Sequence, residues 1–303
     1  MDDGRIVVSG LTKQYRGVTA VDDLSFSVEP GRVTGFLGPN GAGKTTTLRM
    51  LLNPVMPTSG TATIGGRRYA DLPAPAGVVG AVLEASSAHK ARTGRNHLRA
   101  CCLTVGLPLS RADEVLDLVG LAPAADRKFK GYSLGMKQRL GIAAAMLGDP
   151  RVLILDEPAN GLDPEGIRWM REFLRGLAAT GRTVLVSSHL LSEMQALADD
   201  VVIVAAGRLI RQGPVARVLA SMGGTDRVKV STPEPEKLAA ALLDAGAQVT
   251  DGSPGDLLVT GVTAARVGDL ALALGVPLHQ LVTDQPDLED VFLELTHAKA
   301  AIR

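Results

Sequence analysis

The chain has almost no cysteine, no surplus charge of either sign and no long apolar run, and each lack closes off a class of protein. Its only two cysteines, Cys101 and Cys102, are neighbours in sequence. Adjacent thiols make a poor disulfide framework and a poor metal site, so they are assigned to helix packing. Thirty-two basic residues balance thirty-two acidic ones, so no global field draws the chain to nucleic acid, and any such contact needs a local patch. No uninterrupted apolar stretch approaches the roughly 18 to 20 residues of a membrane-spanning helix. The charged opening MDDGRIVV does not read as a signal peptide, and the expected location is the cytoplasm. What remains is an ordinary globular composition: 303 residues, 46% hydrophobic, enough for one large core or a large and a small one.

The most informative stretch is VTGFLGPNGAGKTTTLRM, from Val33 to Met50. Val33 to Leu37 reads as a buried strand. Gly38-Pro39-Asn40-Gly41-Ala42-Gly43-Lys44-Thr45 then turns the chain into a helix, completing the pattern G-x-x-x-x-G-K-[ST]. The glycines open backbone conformations in which consecutive N–H groups point inward at phosphate oxygens, and the helix behind adds its positive end. Lys44 is expected to reach the β- and γ-phosphates of a bound nucleotide. The Thr45 hydroxyl is expected to ligate Mg²⁺, and Thr46 belongs with the loop as a nucleotide contact. Upstream, Tyr15 closes a β-rich run and offers an aromatic ring to stack on a base.

Around this stretch the periodicity predicts an α/β chain. Two alternating β-rich runs, RIVVSGLTKQY and VTAVDDLSFSV, form an antiparallel layer ahead of the core strand. After the loop helix come a hairpin signal in SGTATIGGRR and an apolar strand ending at Glu84. A helical insert follows from about 88 to 130, with Val115, Leu118, Val119 and Ala122 expected on one buried face. Strands VLIL and TVLVSS then alternate with helices, which implies a mostly parallel sheet. Gly223-Gly224 marks a boundary, giving domains 1–222 and 223–303. The order β-α-β-β-α-β in the second suits a small ferredoxin-like α+β fold. The terminal DLEDVFLELT spaces Leu288, Val291, Phe292 and Leu295 as an amphipathic helix with Asp287 as N-cap.

A phosphate loop alone leaves kinases, GTPases and many ATPases open. At the end of the apolar strand VLIL, Asp156 is placed to hold Mg²⁺ through water and Glu157 to orient or deprotonate an attacking water. Together, YSLGMKQRL and VLILDEP resemble the signature helix and second nucleotide motif of the ATP-binding cassette family. The resemblance spans residues 5 to about 222 and implies a P-loop NTPase cassette fold that binds ATP and Mg²⁺. It further implies that Ser133 and Gly135 complete the ATP site of a partner subunit, so that two cassettes dimerise on ATP. Asn160-Gly161-Leu162-Asp163 resembles the loop through which the cassettes communicate, with Asp163 at the shared site, and His189 resembles the switch histidine that clamps the γ-phosphate. Leu134 and Met136 stand where the family usually has a glycine and a glutamine. Glu84 likewise replaces a usual glutamine beside Mg²⁺; a carboxylate keeps the oxygen ligand and adds charge.

By the same resemblance the chain is expected to power a separately encoded transmembrane permease from the inner face of the cell membrane. The ending PDLEDVFLELT is similar to that of subunits serving drug and antibiotic exporters. The rival reading is a soluble cassette ATPase acting on nucleic acid or the ribosome, which usually brings a second cassette, a coiled coil or a basic surface. None is present in the sequence, and no nucleic acid is expected as partner. A GTPase is opposed by the lack of an Asn-Lys-x-Asp motif.

Overall fold

The computed structural model describes residues 4–83, 88–220, 227–251, 256–284 and 288–289. Glu84, the Gly223-Gly224 junction and, save for Leu288 and Glu289, the amphipathic terminal segment lie outside the described residues. The chain divides into two compact units, 1–215 and 216–303. The observed division falls seven residues before the boundary expected from the glycine pair, so residues 216–222 fall in the second unit.

The first unit opens with β1 (Ile6–Tyr15) and β2 (Val18–Val28), followed by the core strand β3 (Val33–Leu37), helix α1 (Lys44–Leu51) and β4 (Ser59–Ile64). Next come α2 (Pro75–Val78), β5 (Val79–Val82), α3 (Gly94–Val105), α4 (Arg111–Leu118) and α5 (Leu134–Ala145). The alternating part is β6 (Val152–Asp156), α6 (Pro164–Ala179), β7 (Thr183–Ser188), α7 (Leu191–Leu197), β8 (Asp200–Ala205) and β9 (Arg208–Pro214). Two sheets result. An antiparallel one runs β2-β1-β4, and a six-stranded one runs β5-β6-β7-β3-β8-β9, parallel except for β9.

The parallel strands are buried on both faces, which is why they read as continuous apolar runs instead of alternating ones. Val33 to Leu37 and Thr183 to Ser188 are buried at every position. The antiparallel sheet contributes Ile6, Val8, Leu11 and Phe26 to the same core, and Phe26 stacks on Phe36 at 5.3 Å. Truncating either ring to alanine is worth about 3–5 kcal/mol.

The helical insert holds α3 and α4. Thr93 caps α3, its hydroxyl accepting from Asn96 N–H at 3.2 Å. Cys102 is fully buried on that helix and Cys101 half-buried, both as free thiols. On α4 the buried face is Ala112, Val115, Leu116 and Val119, and Leu118 is exposed. The expected face is therefore corrected: Val115 and Val119 are buried as expected, but Leu118 and Ala122 are exposed and Ala112 and Leu116 take their places. Both sets have helical spacing, but the helix ends at Leu118 and Gly120 at φ 69° turns the chain away.

The second unit holds β10 (Arg227–Ser231), α9 (Pro235–Asp244), β11 (Gln248–Asp251), β12 (Asp256–Thr260), α10 (Ala264–Leu274) and β13 (Gln280–Asp284), preceded by α8 (Val215–Ala220). Its four strands form an antiparallel sheet in the order β11-β12-β10-β13. That is the ferredoxin-like arrangement, with the first and third strands central. Its own core gathers Val228, Val230, Leu238, Leu242, Leu257, Val259 and Val267.

Candidate functional site

Three of the motifs converge because of strand order. In the parallel sheet β7 lies between β3 and β6, so the C-terminal ends of all three open at one edge. The loop after β3, the carboxylates at the end of β6 and the histidine after β7 are thereby gathered from positions about 150 residues apart. Open α/β sheets bind ligands at this kind of crevice.

The loop closes over a cavity of about 490 Å³ lined by Tyr15, Ala20, residues 39–46, Glu157, Asn160 and His189. Gly43 is the N-cap of α1 with φ 94°, and a Cβ there would lie 2.5 Å from the Ala20 carbonyl oxygen. Gly38 approaches just as closely, 2.4 Å separating its ideal Cβ from Val204 O. Only glycine fits at either point. No side chain caps α1 and its first turn holds no acidic residue, so that helix end offers N–H donors and a positive dipole to an anion.

Inside the cavity the charges form a chain. Lys44 is 6% exposed; its Nζ donates to Gly38 O at 2.7 Å and Pro39 O at 3.3 Å and pairs with Glu157 Oε1 at 3.2 Å. The other Glu157 oxygen lies 2.8 Å from His189 Nδ1. Thr45 Oγ1 donates to Asp156 Oδ2 at 2.7 Å, and Ser187 Oγ donates to Asp156 Oδ1. Glu157 sits at φ 49°, a left-handed conformation that costs a non-glycine residue about 1–2 kcal/mol. Its N–H is held by Ser187, by the carbonyl at 3.2 Å and the hydroxyl at 3.0 Å.

Tyr15 is 45% exposed at the cavity mouth, with Lys13 Nζ 4.9 Å from its ring centre. Ser133, Gly135 and Asp163 do not line this cavity. Ser133 caps α5 by accepting from Met136 N–H at 3.2 Å, and Asp163 caps α6 by accepting from Gly166 N–H at 2.8 Å. Leu134, half-exposed, leans over the neighbouring loop, where a Cβ on Gly161 would lie 2.5 Å from its Cδ2. Near the histidine, burial pushes the Glu193 carboxyl up, with Arg171 and His189 pulling the other way. Two contributors escaped the sequence reading: the backbone of Ala20, and Ser187, whose only signal was a serine pair preceding the histidine.

The donor set fits a nucleoside triphosphate with a hard cation. A glycine-walled cradle, a buried lysine and an uncapped helix end suit phosphate oxygens. Thr45 Oγ1 and Asp156 Oδ2 set two oxygen atoms side by side, 2.7 Å apart. Among the described residues no group of three or more His, Cys, Asp or Glu is placed to hold a metal ion.

Residues 21–160 match the family model described as ABC transporter, and residues 226–289 match a Domain of unknown function (DUF8746). The chain is 38% identical to the uncharacterized ABC transporter ATP-binding protein YhcH of Bacillus subtilis (strain 168), over 95% of each chain. It is 35% identical to the bacitracin transport ATP-binding protein BcrA of Enterococcus faecalis over 96% of each. A solved ATP-binding subunit of an ABC transporter superposes with a TM-score of 0.65 at 28% identity, covering 72% of this chain and 93% of that one. The fold, the cavity and these likenesses agree, and the chain belongs to the ABC transporter family as an ATP-binding, ATP-hydrolysing subunit.

Proposed function

We propose that this chain is the ATPase of an export system, in which two copies bind ATP and Mg²⁺ between them, close, hydrolyse and reopen, driving a separately encoded permease. ABC cassettes as a group dimerise and pair with membrane components. The observation that carries the reading is the meeting of Lys44, Thr45, Glu157 and His189 around one cavity, with Asp156 bonded to Thr45 beside it. Export is favoured by full-length similarity to a bacitracin transport subunit. Among the described residues no helix is long and apolar enough to cross a membrane, and we place the chain on the cytoplasmic face, held by its permease.

In this reading the loop N–H groups and Lys44 hold the β- and γ-phosphates, whose oxygens compete with Gly38 O, Pro39 O and Glu157 for the lysine protons. Thr45 and Asp156, with Glu84 read from the sequence alone, would hold Mg²⁺, which neutralises charge developing on the phosphates. Glu157 takes a proton from the attacking water, and His189 orients that carboxylate while reaching the γ-phosphate. Tyr15 stacks on the adenine. Ser133, Gly135 and Asp163 act on nucleotide held by the partner copy. The test is to purify the chain with its membrane partner in vesicles. Transport-linked ATPase activity that vanishes without the partner supports export, and full uncoupled activity with no membrane protein retained overturns it.

A further inference from the structure

Consecutive residues of a strand point to opposite faces, so Asp156 and Glu157 can serve one cavity only if the chain turns between them. It turns at Glu157, in the left-handed region at φ 49°. One side chain touches both halves of that turn. Ser187, fully buried on β7, is register partner to Asp156 on β6 and to Phe36 on β3. Its hydroxyl donates to Asp156 Oδ1 and accepts from the Glu157 N–H at 3.0 Å.

The neighbouring Ser188 hydroxyl serves only the backbone, accepting from Leu190 N–H at 2.9 Å. The strand ladder between β6 and β7 needs no hydroxyl, so the Ser187 bridge is additional to it. The second Asp156 oxygen is held by Thr45, the residue read as a direct metal ligand. Once the Thr45 oxygen faces a cation, Ser187 is what still holds the Asp156 carboxylate. We propose that Ser187 is a positioning residue that sets the Asp156 carboxylate for Mg²⁺ and locks the turn aiming Glu157 at the attacking water. This rests on the reading of the cavity as an ATP–Mg²⁺ site.

The test measures equilibrium binding of a fluorescent, non-hydrolysable ATP analogue to the full chain, with and without Mg²⁺, in the parent, Ser187→Ala and Ser187→Thr. Partners of metal ligands typically govern metal affinity by about 10- to 100-fold. Ser187→Ala is therefore expected to lose about 10-fold or more of the gain in affinity that Mg²⁺ confers, with metal-free binding unchanged, and Ser187→Thr is expected to recover it. Thr34→Ala, which removes a buried hydroxyl with no hydrogen-bond partner among the described residues, leaves the ratio untouched. An unchanged ratio in Ser187→Ala overturns the proposal. A parent chain that binds no analogue overturns the reading of the cavity, and this proposal falls with it. If Ser187→Ala does not fold, Ser187→Cys, of similar shape with a weak donor, is measured instead and the same two outcomes decide.

Discussion

At the scale of single residues, Lys44 is the most exposed to test because its charge is buried and its partners are known. Removing it takes away a phosphate ligand and strips Glu157 of its cation. We expect Lys44→Ala to abolish ATP binding or turnover, while Glu157 keeps its contact with His189 Nδ1 at 2.8 Å. Near-normal hydrolysis by the variant would refute the site assignment. Glu157→Gln should behave differently, since the amide keeps shape and hydrogen bonding but cannot take a proton. Binding should persist with hydrolysis lost, and sedimentation should show an ATP-dependent dimer; a strictly monomeric ATP-bound variant would contradict a shared site. Glu193 gives a pH prediction. Its carboxyl is raised mainly by burial, and its Oε2 has no hydrogen-bond partner among the described residues. A raised folded value means the native state binds more protons than the unfolded one, so stability falls as pH rises from the ordinary glutamate range through that value. Glu193→Gln should thus melt higher than the parent at pH 8, with the advantage shrinking towards pH 4.5. A constant difference across that span would rule out ionisation as the cause.

Among elements, the phosphate loop was legible because its function is written in eight consecutive residues whose local geometry does the chemistry. Ser187 was not, because its role exists only once β7 is threaded between β3 and β6. Nor was the place of Leu134 legible. Sequence marks it as a substitution for glycine, and only the folded chain puts it over Gly161 in the loop before α6. That contact makes a measurable coupling. Gly161 has φ 72° and a Cβ there would meet Leu134 Cδ2 at 2.5 Å, so Gly161→Ala carries both backbone strain and a clash. The strain, on the order of 1 kcal/mol, persists in any background. The clash should disappear in Leu134→Ala. A double-mutant cycle by urea unfolding is expected to give a coupling of about 0.5–3 kcal/mol, with Gly161→Ala less damaging when Leu134 is already trimmed. Strict additivity would mean that Leu134 moves aside freely.

For the whole molecule, the succession of elements was readable from hydrophobic period, and the β-α-β-β-α-β succession of the second unit already implied its sheet. The position of the division was harder to read, because glycine marks chain freedom while compactness is decided by which side chains pack together. Each unit has its own core: Phe36, Leu48 and Ile154 in the first, Val228, Leu242 and Val259 in the second. Every residue lining the cavity belongs to the first. A solved cassette covering 72% of this chain uses 93% of its own length to do so, so a comparable fold stands with little beyond it. A chain ending after residue 222, which keeps α8, is therefore expected to fold and to bind ATP within about two-fold of the full protein. Its own melting transition and its affinity for a fluorescent ATP analogue are the measurements. A folded truncation that had lost ATP affinity would show that residues beyond 222 shape the cavity, and the division of labour between the units would have to be abandoned.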